Sequence, residues 1–308
     1  MSSVSSPLRS RLPEALTIVE VGPRDGLQNE QEIVPTDVKV EFIERLGAAG
    51  LKVVEATSFV NPKWVPQLAD AAEVLDKLDR KPGVRYPVLV PNERGLDGAL
   101  KAGVDEIAIF ASATESFSTR NLNRTRDEAF EMFRPVVERA IGSDLRVRGY
   151  MSMVLGDPWE GDVDPAEVAR QGERLLELGC FELSLGDTIG VGTPGRVQEL
   201  IEAFANADIG PSRLAVHFHD TYGQGLANVL AALESGITVV DASAGGLGGC
   251  PFAQSATGNL ATEDLVWMLD GLGVVTGVDV HKVAETSAWI CERVGKDIPG
   301  RVARALRA

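Results

Sequence analysis

The stretch DPAEVARQGERLLELGCFELSLGD (residues 164–187) contains one complete unit of the pattern that dominates this chain. Asp164 suits the N-cap of a helix, and Pro165 has the fixed backbone angle that favours the first helical position. The amphipathic segment ends on Gly179, and a short apolar run follows at 181–187. A helix that ends at a glycine and leads into an apolar strand indicates a repeating unit of a parallel sheet.

The same unit recurs along the chain. TDVKVEFIERLGAAG (36–50), for example, opens with the possible N-cap Thr36 and ends on Gly50. Seven further apolar runs are rich in β-branched residues and too short for core helices; they lie at 16–21, 51–59, 86–90, 106–112, 146–154, 214–220 and 238–246.

Eight strands that alternate with helices predict an α/β protein of the (β/α)8 TIM-barrel class, because eight strands close a barrel. A doubly wound open sheet is the alternative, but no G-x-G-x-x-G follows the first strand. After about residue 275 the pattern is helical only. We therefore predict a barrel domain at 1–275 and a C-terminal helical segment at 276–308 that packs on it.

Composition excludes several classes of protein. The chain has 308 residues, and its formal net charge of −15 argues against nucleic acid or an anionic membrane as a partner. Three cysteines, Cys180, Cys250 and Cys291, form no disulfide framework and favour a reducing, cytoplasmic location. No apolar run approaches the roughly 18 residues of a membrane span, and residues 1–15 lack the apolar core of a secretory signal.

Polar residues accumulate where the predicted strands end, which is where TIM-barrel enzymes carry their catalytic groups. His217 and His219 are two of only three histidines, and residues two apart on a strand face the same side. In isolation this pair is as compatible with core imidazoles as with metal ligands. Its position at a strand end, near carboxylates, favours a metal site. Asp220 follows the pair, and we expect it to orient a ligand or cap the next helix.

The first two strands contribute three more candidates. Arg24 and Asp25 follow the first strand; alone, Asp25 with the glycine after it is more often a plain turn. Glu55 lies inside an apolar strand, and a buried carboxylate must be paired with a cation, for which Arg24 is a plausible partner.

The later strands end in a carboxylate and a glycine-rich loop. Asp187 ends a strand, where capping of a helix or loop is the ordinary role. In GGLGGCP (245–251), glycines permit close backbone approach, and the loop can move over a ligand and carry Cys250 with it.

Five motifs together resemble those of the hydroxymethylglutaryl-CoA lyase family, which belongs to the metal-dependent lyases and Claisen-type synthases built on TIM barrels. The resemblance runs from about Thr17 to Gly277. The motifs occur in the family's order: VGPRDGLQNE (21–30), EATSFVNPKWVPQ (55–67), SLGDTIGVGTPG (184–195), VHFHDTYGQ (216–224) and GGLGGCPFAQSATGNLATEDLV (245–266).

The resemblance implies roles for individual residues. It implies that the divalent metal, Mg²⁺ or Mn²⁺, is held by Asp25, His217, His219 and Asn259. It implies that Arg24 neutralises a thioester enolate, with Gln28 as a further substrate contact, and that Cys250 is a catalytic acid/base. His217 adds a proton-transfer role, Glu55 and Asp187 are acidic residues near the site, and the enzyme is a homodimer.

The implied reaction cleaves 3-hydroxy-3-methylglutaryl-CoA to acetyl-CoA and acetoacetate. The chain departs from the family pattern at Ala244, Gly245 and Phe252 in the glycine loop, and this leaves the fit of the substrate open. The alternatives are a lyase for a bulkier 3-hydroxy-3-alkylglutaryl-CoA, a related Claisen-type condensing enzyme, and a metal-binding barrel without catalysis. Arginines 120, 124, 126, 146 and 148 offer positive charge for CoA, although ion-paired surface positions are favoured for them.

Overall fold

Parallel strands and helices alternate along the chain in a computed structural model that describes residues 9–249 and 258–307. Its strands are Thr17–Glu20 (β1), Val53–Val54 (β2), Thr57–Ser58 (β3), Val88–Leu89 (β4), Glu106–Ser112 (β5), Arg146–Ser152 (β6), Glu182–Asp187 (β7), Leu214–Phe218 (β8) and Val239–Ala242 (β9). They form one sheet in the order β2-β1-β9-β8-β7-β6-β5-β4-β3, and every pairing between them is parallel.

The segment 53–58 closes this sheet into a barrel. Its first half, β2, pairs with β1, and its second half, β3, pairs with β4. Between the halves, the Glu55 N–H donates to the carbonyl of Glu20, and the Ala56 N–H donates to the carbonyl of Pro87. One continuous segment therefore joins both edges of the sheet. When β2 and β3 are counted as one strand, the barrel has eight strands. The predicted eight-stranded barrel is confirmed.

Helices cover the outside of the barrel, as the repeating unit predicts. At the start of the sixth helix, the Asp164 side chain accepts the N–H of Ala166. At its end, Gly179 has a φ of 122°, a conformation that favours glycine. The helices are Thr36–Ala48 (α1), Ala71–Lys77 (α2), Glu93–Lys101 (α3), Glu115–Leu122 (α4), Arg126–Ile141 (α5), Pro165–Leu178 (α6), Pro194–Asn206 (α7), Gly225–Glu234 (α8), Thr262–Leu272 (α9), Val280–Arg293 (α10) and Arg301–Leu306 (α11).

The last two helices, α10 and α11, lie beyond the final strand–helix unit. Helix α10 packs beside α1, where the rings of Trp289 and Phe42 are 6.5 Å apart. The division of the chain at 275/276 remains a prediction, since packing alone does not define a domain boundary. Among the described helices, none combines the length and the apolar character needed to cross a membrane.

The inside of the barrel is more polar than its outside. The main hydrophobic cluster fills the space between strands and helices, with fully buried side chains such as Phe42, Phe133 and Phe204. Inside the barrel, the apolar clusters that the described residues form are small, and one of them lies around Val19 and Val53. Much of the remaining interior is occupied by buried charged and polar groups, which form the floor of the site described next.

Candidate metal and active site

Arg24 and Asp25 lie on a wide helical turn, Gly22–Gly26, that follows β1. The N–H groups of Asp25 and Gly26 both donate to the carbonyl of Val21, at 2.7 and 3.1 Å. A Cβ atom at Gly26 would lie 2.8 Å from the Ser243 hydroxyl, so the turn requires glycine there to pack against the glycine-loop stem. The turn thereby places the two charged side chains at the carboxyl-terminal mouth of the barrel.

The two histidines come from the end of β8. Their rings face the same side, with centroids 5.4 Å apart, while Phe218 between them points into the hydrophobic core, as alternation along a strand predicts. His219 also forms an isolated backbone bridge with Asn259. This bridge brings the segment after the glycine loop to the same point of the mouth.

A potential metal-binding group results. One ligand atom each from Asp25, His217 and His219 lies within 4.8 Å of the other two. Asn259 completes the set, because its amide nitrogen donates to Oδ2 of Asp25 at 2.8 Å. An amide binds a cation through oxygen, so a half-turn of this amide would present Oδ1 as the fourth ligand.

The charges of these residues fit a divalent cation. Burial alone would raise the pKa of Asp25, but Arg24 and His217 outweigh it and hold the pKa at about 2, so the carboxylate is ionised. Burial lowers the pKa of His219 to about 4, which leaves a neutral imidazole at neutral pH. Its Nδ1 is buried and has no hydrogen-bond partner among residues 9–249 and 258–307. A deprotonated carboxylate and a neutral imidazole with an unpaired ring nitrogen are what a metal requires of its ligands.

Arg24 is held in place by carboxylates on both sides. Its Nε donates to Oε2 of Glu55 at 2.8 Å, and its Nη1 donates to Oδ1 of Asp25 at 2.5 Å. The Tyr150 hydroxyl donates to the same Glu55 oxygen at 3.1 Å, and the Tyr150 ring lies under the Arg24 guanidinium, 5.3 Å from it. The structure thus brings Arg24 and Glu55 together, as the sequence predicts.

A second buried carboxylate, Asp241 in β9, supports His217. Oδ2 of Asp241 lies 3.3 Å from Nδ1 of His217 and accepts the Ser184 hydroxyl at 2.7 Å. Arg148 donates to both oxygens of Asp241, at 3.0 and 2.8 Å. Sequence reasoning missed this group, and Arg148 is a buried ion-pair partner, so it is neither a CoA contact nor the surface residue that was favoured. The available signal was the same as for Glu55, a carboxylate inside an apolar strand.

The comparisons with known proteins agree with this geometry. The family model described as HMGL-like matches residues 15–290. The chain belongs to the HMGL-like family. It is 54% identical over 296 residues to the cytoplasmic 3-hydroxy-3-methylglutaryl-CoA lyase of Rattus norvegicus, covering 96% of this chain and 86% of that protein. The predicted resemblance to hydroxymethylglutaryl-CoA lyases is confirmed.

Solved structures of family members have the same fold. The hydroxymethylglutaryl-CoA lyase of Pseudomonas aeruginosa superposes with a TM-score of 0.94 at 51% identity, covering 96% of this chain and 99% of that one. An HMG-CoA lyase from Acinetobacter baumannii, in complex with coenzyme A and 3-methylmalate, superposes with a TM-score of 0.90 at 37% identity, covering 99% and 97%. Both matches confirm the predicted TIM barrel.

A large cavity opens above the potential metal-binding group. It has a volume of about 760 Å³ and extends from His217 and His219, past Arg24 and Gln28, to the rim. Arg120 and Arg124, which the sequence offered as positive charge for CoA, line it, and so do the rim side chains Ile33, Asn61, Trp64 and Asn92. The cavity therefore combines an ionisable floor with a partly apolar, partly basic wall, which suits a long acyl-CoA.

Asp187, which the family resemblance implies near the site, lies elsewhere. Asp187 faces away from the barrel interior, and its carboxylate accepts the N–H groups of Val191 and Gly192 at 3.1 and 2.8 Å. Burial raises the pKa of Asp187 to about 6, although these hydrogen bonds oppose the rise. The structure therefore places Asp187 at the base of the loop after β7, apart from the Arg24–Asp25–His217–His219 group. Cys250 and Phe252 lie outside the described residues.

The stem of the glycine loop is anchored by two buried carboxylates. Glu20 accepts the N–H of Ala244, and Glu263 accepts the N–H of Gly245, at 2.9 and 3.0 Å. Gly245 has a φ of 73°, so a glycine suits this position. Asp220 accepts the N–H of Gly225 at the start of α8, which fits its expected capping position. The stem is thus fixed next to the metal-binding group, and its two departures from the family pattern, Ala244 and Gly245, are buried in it.

Proposed function

We propose that this protein cleaves 3-hydroxy-3-methylglutaryl-CoA to acetyl-CoA and acetoacetate. The observation that carries the proposal is the convergence of Arg24, Asp25, His217 and His219 at the floor of one cavity in a member of the HMGL-like family, with Asn259 hydrogen-bonded to Asp25. Cleavage between C2 and C3 requires loss of the C3 hydroxyl proton and a place for the electrons, which pass into a thioester enolate. Both ends of this electron movement need support from the protein.

We propose Mg²⁺ or Mn²⁺ as the ion that Asp25, His217, His219 and Asn259 would hold. One carboxylate, two imidazoles and an amide oxygen suit such an ion in an open site. When bound, the ion supplies Lewis-acid polarisation that makes the tertiary hydroxyl acidic enough to lose its proton. The cavity above these side chains leaves room for the substrate's hydroxyl and free carboxylate.

We assign the thioester oxygen to Arg24. Its guanidinium stays protonated, since the neighbouring Glu55 and Asp25 carboxylates raise its pKa well above the usual range despite its burial. The ion pair with Glu55 and the contact with Tyr150 limit the rotamers of Arg24, so its remaining N–H groups are oriented before substrate arrives. Negative charge that develops on the thioester oxygen would meet a fixed cation. Glu55 acts here through Arg24, and Gln28 contributes a further contact along the cavity wall.

Proton movement is the part that involves Cys250. We propose that the Cys250 thiol protonates the enolate carbon when the glycine loop is closed. An ordinary thiol pKa near 8.5 suits proton return at neutral pH. His217 would assist transfer from the hydroxyl only to a limited extent, because a metal-bound imidazole is a poor base. For Asp187 we propose the ordinary role that its strand-end position predicts, which is to hold the loop after β7 by hydrogen bonds.

We propose a homodimer as the assembly and the cytoplasm as the location. Relatives named for this activity include both cytoplasmic and mitochondrial proteins, so family membership alone leaves the compartment open. The acidic net charge and the sparse cysteines support a reducing compartment and a small-molecule partner without nucleic acid or membrane.

Purified protein should release acetoacetate from 3-hydroxy-3-methylglutaryl-CoA with Mg²⁺ or Mn²⁺, and a chelator should abolish this release. A 3-hydroxy-3-alkylglutaryl-CoA with a longer alkyl group, assayed in parallel, measures the breadth of the cavity. Absence of acetoacetate, or release that continues after the metal has been shown to be removed, would overturn the proposal.

The role of Cys250 has its own test. Cys250→Ala should keep the Mn²⁺ affinity and lose most turnover, because a proton donor is lost and no ligand is removed. Cys180→Ala is the matched control, since Cys180 is buried beside Gly149 on the outside of the sheet. Loss of metal binding in Cys250→Ala would make the thiol a ligand instead.

A further inference from the structure

Asp241 lies in the middle of β9, and its carboxylate is fully enclosed in the barrel interior. It accepts from donors on three neighbouring strands: Arg148 on β6, Ser184 on β7 and His217 on β8. A buried carboxylate with this many partners is fixed in one rotamer. Asp241 is therefore a rigid point directly behind one of the two candidate histidine ligands.

The hydrogen-bond roles around Asp241 determine where the proton of His217 lies. The pair of bonds from Arg148 keeps the Asp241 carboxylate charged, and an ionised carboxylate only accepts hydrogen bonds. The contact between Oδ2 of Asp241 and Nδ1 of His217 therefore needs a proton on Nδ1. In the neutral ring the other nitrogen, Nε2, is then unprotonated; it faces Asp25, 4.0 Å from Oδ2.

We propose that Asp241 is a positioning residue that fixes the Nδ1–H tautomer and the ring orientation of His217, so that Nε2 is presented to the divalent ion. This inference rests on the proposed metal site and adds a residue that supports it. The carboxylate behind a ligating imidazole makes the ring a better ligand and removes the cost of orienting it. Asp241 does not touch the substrate.

The neighbouring histidine provides an internal contrast. Nδ1 of His219 has no partner among the described residues, and its place is set instead by the backbone bridge to Asn259. The two ligands would thus be oriented by different means: a side-chain carboxylate for His217 and the backbone for His219. Only the support of His217 by the carboxylate can be removed by a side-chain substitution that leaves the backbone in place.

The tautomer itself can be measured in the unaltered protein. The chain has only three histidines, so long-range ¹H–¹⁵N correlation spectra of the imidazoles can be assigned with His219→Gln and His281→Gln. In metal-free protein above the pKa of the ring, His217 should show a proton fixed on Nδ1. A proton on Nε2, or rapid exchange between the two nitrogens, would overturn the proposal without reference to any Asp241 variant.

Variants test the consequence for the metal. Asp241→Leu keeps the number and branching of the side-chain heavy atoms and removes the acceptor, and it should weaken Mn²⁺ binding by about 10–100-fold in calorimetric titrations. Glu182→Gln is the matched control, because Glu182 is the other carboxylate on Arg148, with 2.8 Å between Arg148 Nε and Oε1, and lies away from His217. Equal weakening in both variants would show a structural role and overturn the proposal.

Folding and function are kept separate in this design. If Asp241→Leu does not fold, Arg148→Met/Asp241→Leu removes both members of the buried pair, which costs less than leaving one unpaired. The double variant should then show the same loss of Mn²⁺ affinity, and unchanged affinity would contradict the proposal. Both the spectra and the titrations omit substrate, so they decide the role of Asp241 even if the proposed cleavage reaction fails.

Discussion

On each of two sides of the barrel interior, a buried carboxylate from a strand binds a candidate functional side chain. On the β1–β2 side, Glu55 holds Arg24; on the β8–β9 side, Asp241 holds His217. Tyr150 joins the two sides, since its hydroxyl donates to Glu55 and accepts from Nη1 of Arg148 at 3.2 Å. The floor of the site is therefore one connected hydrogen-bond network across the barrel.

The two carboxylates differ in how completely they are paired. Asp241 accepts at both oxygens, whereas Oε1 of Glu55 has no partner within the described part of the chain. Burial raises the pKa of Glu55 by more than Arg24 lowers it, so the pKa lies above its usual value. Burial also acts on Asp241, but Arg148 and the bond to His217 hold its pKa well below its usual range. Both carboxylate oxygens on the His217 side thus have hydrogen-bond partners, whereas one carboxylate oxygen on the Arg24 side can still accept a hydrogen bond.

The largest effect is expected from Arg148→Met, which leaves Asp241 and Glu182 without their cation. Removal of one partner from a buried pair costs about 3–5 kcal/mol of the free energy of unfolding. Urea denaturation of the metal-free protein measures it. The control is Arg146→Met on the same strand, because Arg146 is half exposed where it meets Glu106, and that change should cost about 1 kcal/mol or less. Similar losses in both variants would contradict the saturated pairing of Asp241.

Next comes Glu55→Gln, which keeps an acceptor for Arg24 but removes the ion pair. We expect kcat to fall by about 10–100-fold, because a less firmly oriented guanidinium stabilises the enolate less well. Steady-state kinetics should show the fall in kcat with Mn²⁺ affinity retained. Glu106→Gln makes the same change in a buried carboxylate at the opposite end of the barrel, and it should alter kcat by no more than about twofold. A purely structural role of Glu55 would appear as equal losses.

Removal of the link between the sides should have a smaller effect. Tyr150→Phe keeps the ring between the guanidiniums of Arg24 and Arg148, which lie 5.3 and 5.1 Å from its centroid, and removes the hydroxyl. We expect a loss of about 1–2 kcal/mol in the free energy of unfolding, since Glu55 and Arg148 each keep another partner. Tyr86→Phe, which removes one hydroxyl acceptor of the Lys81 N–H, is the control. No loss at Tyr150 would mean that the two sides act independently.

The smallest effect is a difference in pH dependence. A carboxyl whose pKa is raised on folding makes the folded protein less stable as pH rises above the unfolded pKa of 4.5, so the free energy of unfolding of Glu55→Gln should increase relative to that of the wild type as pH rises above this value. The slope should not exceed about 1.4 kcal/mol per pH unit. Asp241→Asn should show a flat difference there, because a lowered pKa acts only below the unfolded value of 3.8. Unfolding free energies measured across this range distinguish the two; equal slopes would remove the contrast.

The fold could be predicted from local patterns. All eight strands lie within the apolar runs of the sequence, and the unit 164–187 forms helix and strand as its capping residues indicate. The division of the strand at 53–58 into two pairing halves could not be predicted. It depends on which neighbour each half meets in the closed barrel, and that register is a property of the whole sheet.

The candidate site could be predicted only in part. His217, His219, Arg24 and Asp25 follow from strand-end positions and alternation, and the structure brings them together. Asp187 also lies at a strand end, but its side chain points outward. This orientation could not be predicted, because the sequence of a strand that is buried on both faces does not reveal which residues face the barrel interior. The partnership of Arg148 with Asp241 joins residues far apart in sequence, so no local pattern could pair them.

The pairing of β1 with β9 has a consequence for synthesis of the protein. On one side β1 meets β2 soon after it leaves the ribosome, but its other edge has no neighbour until β9 has been made. Such high contact order delays closure and leaves an open strand edge on the nascent chain. Asp25 is likewise synthesised long before His217, His219 and Asn259, so these four side chains cannot come together until the barrel is almost complete. A metal ion held by these residues would therefore stabilise only the finished barrel.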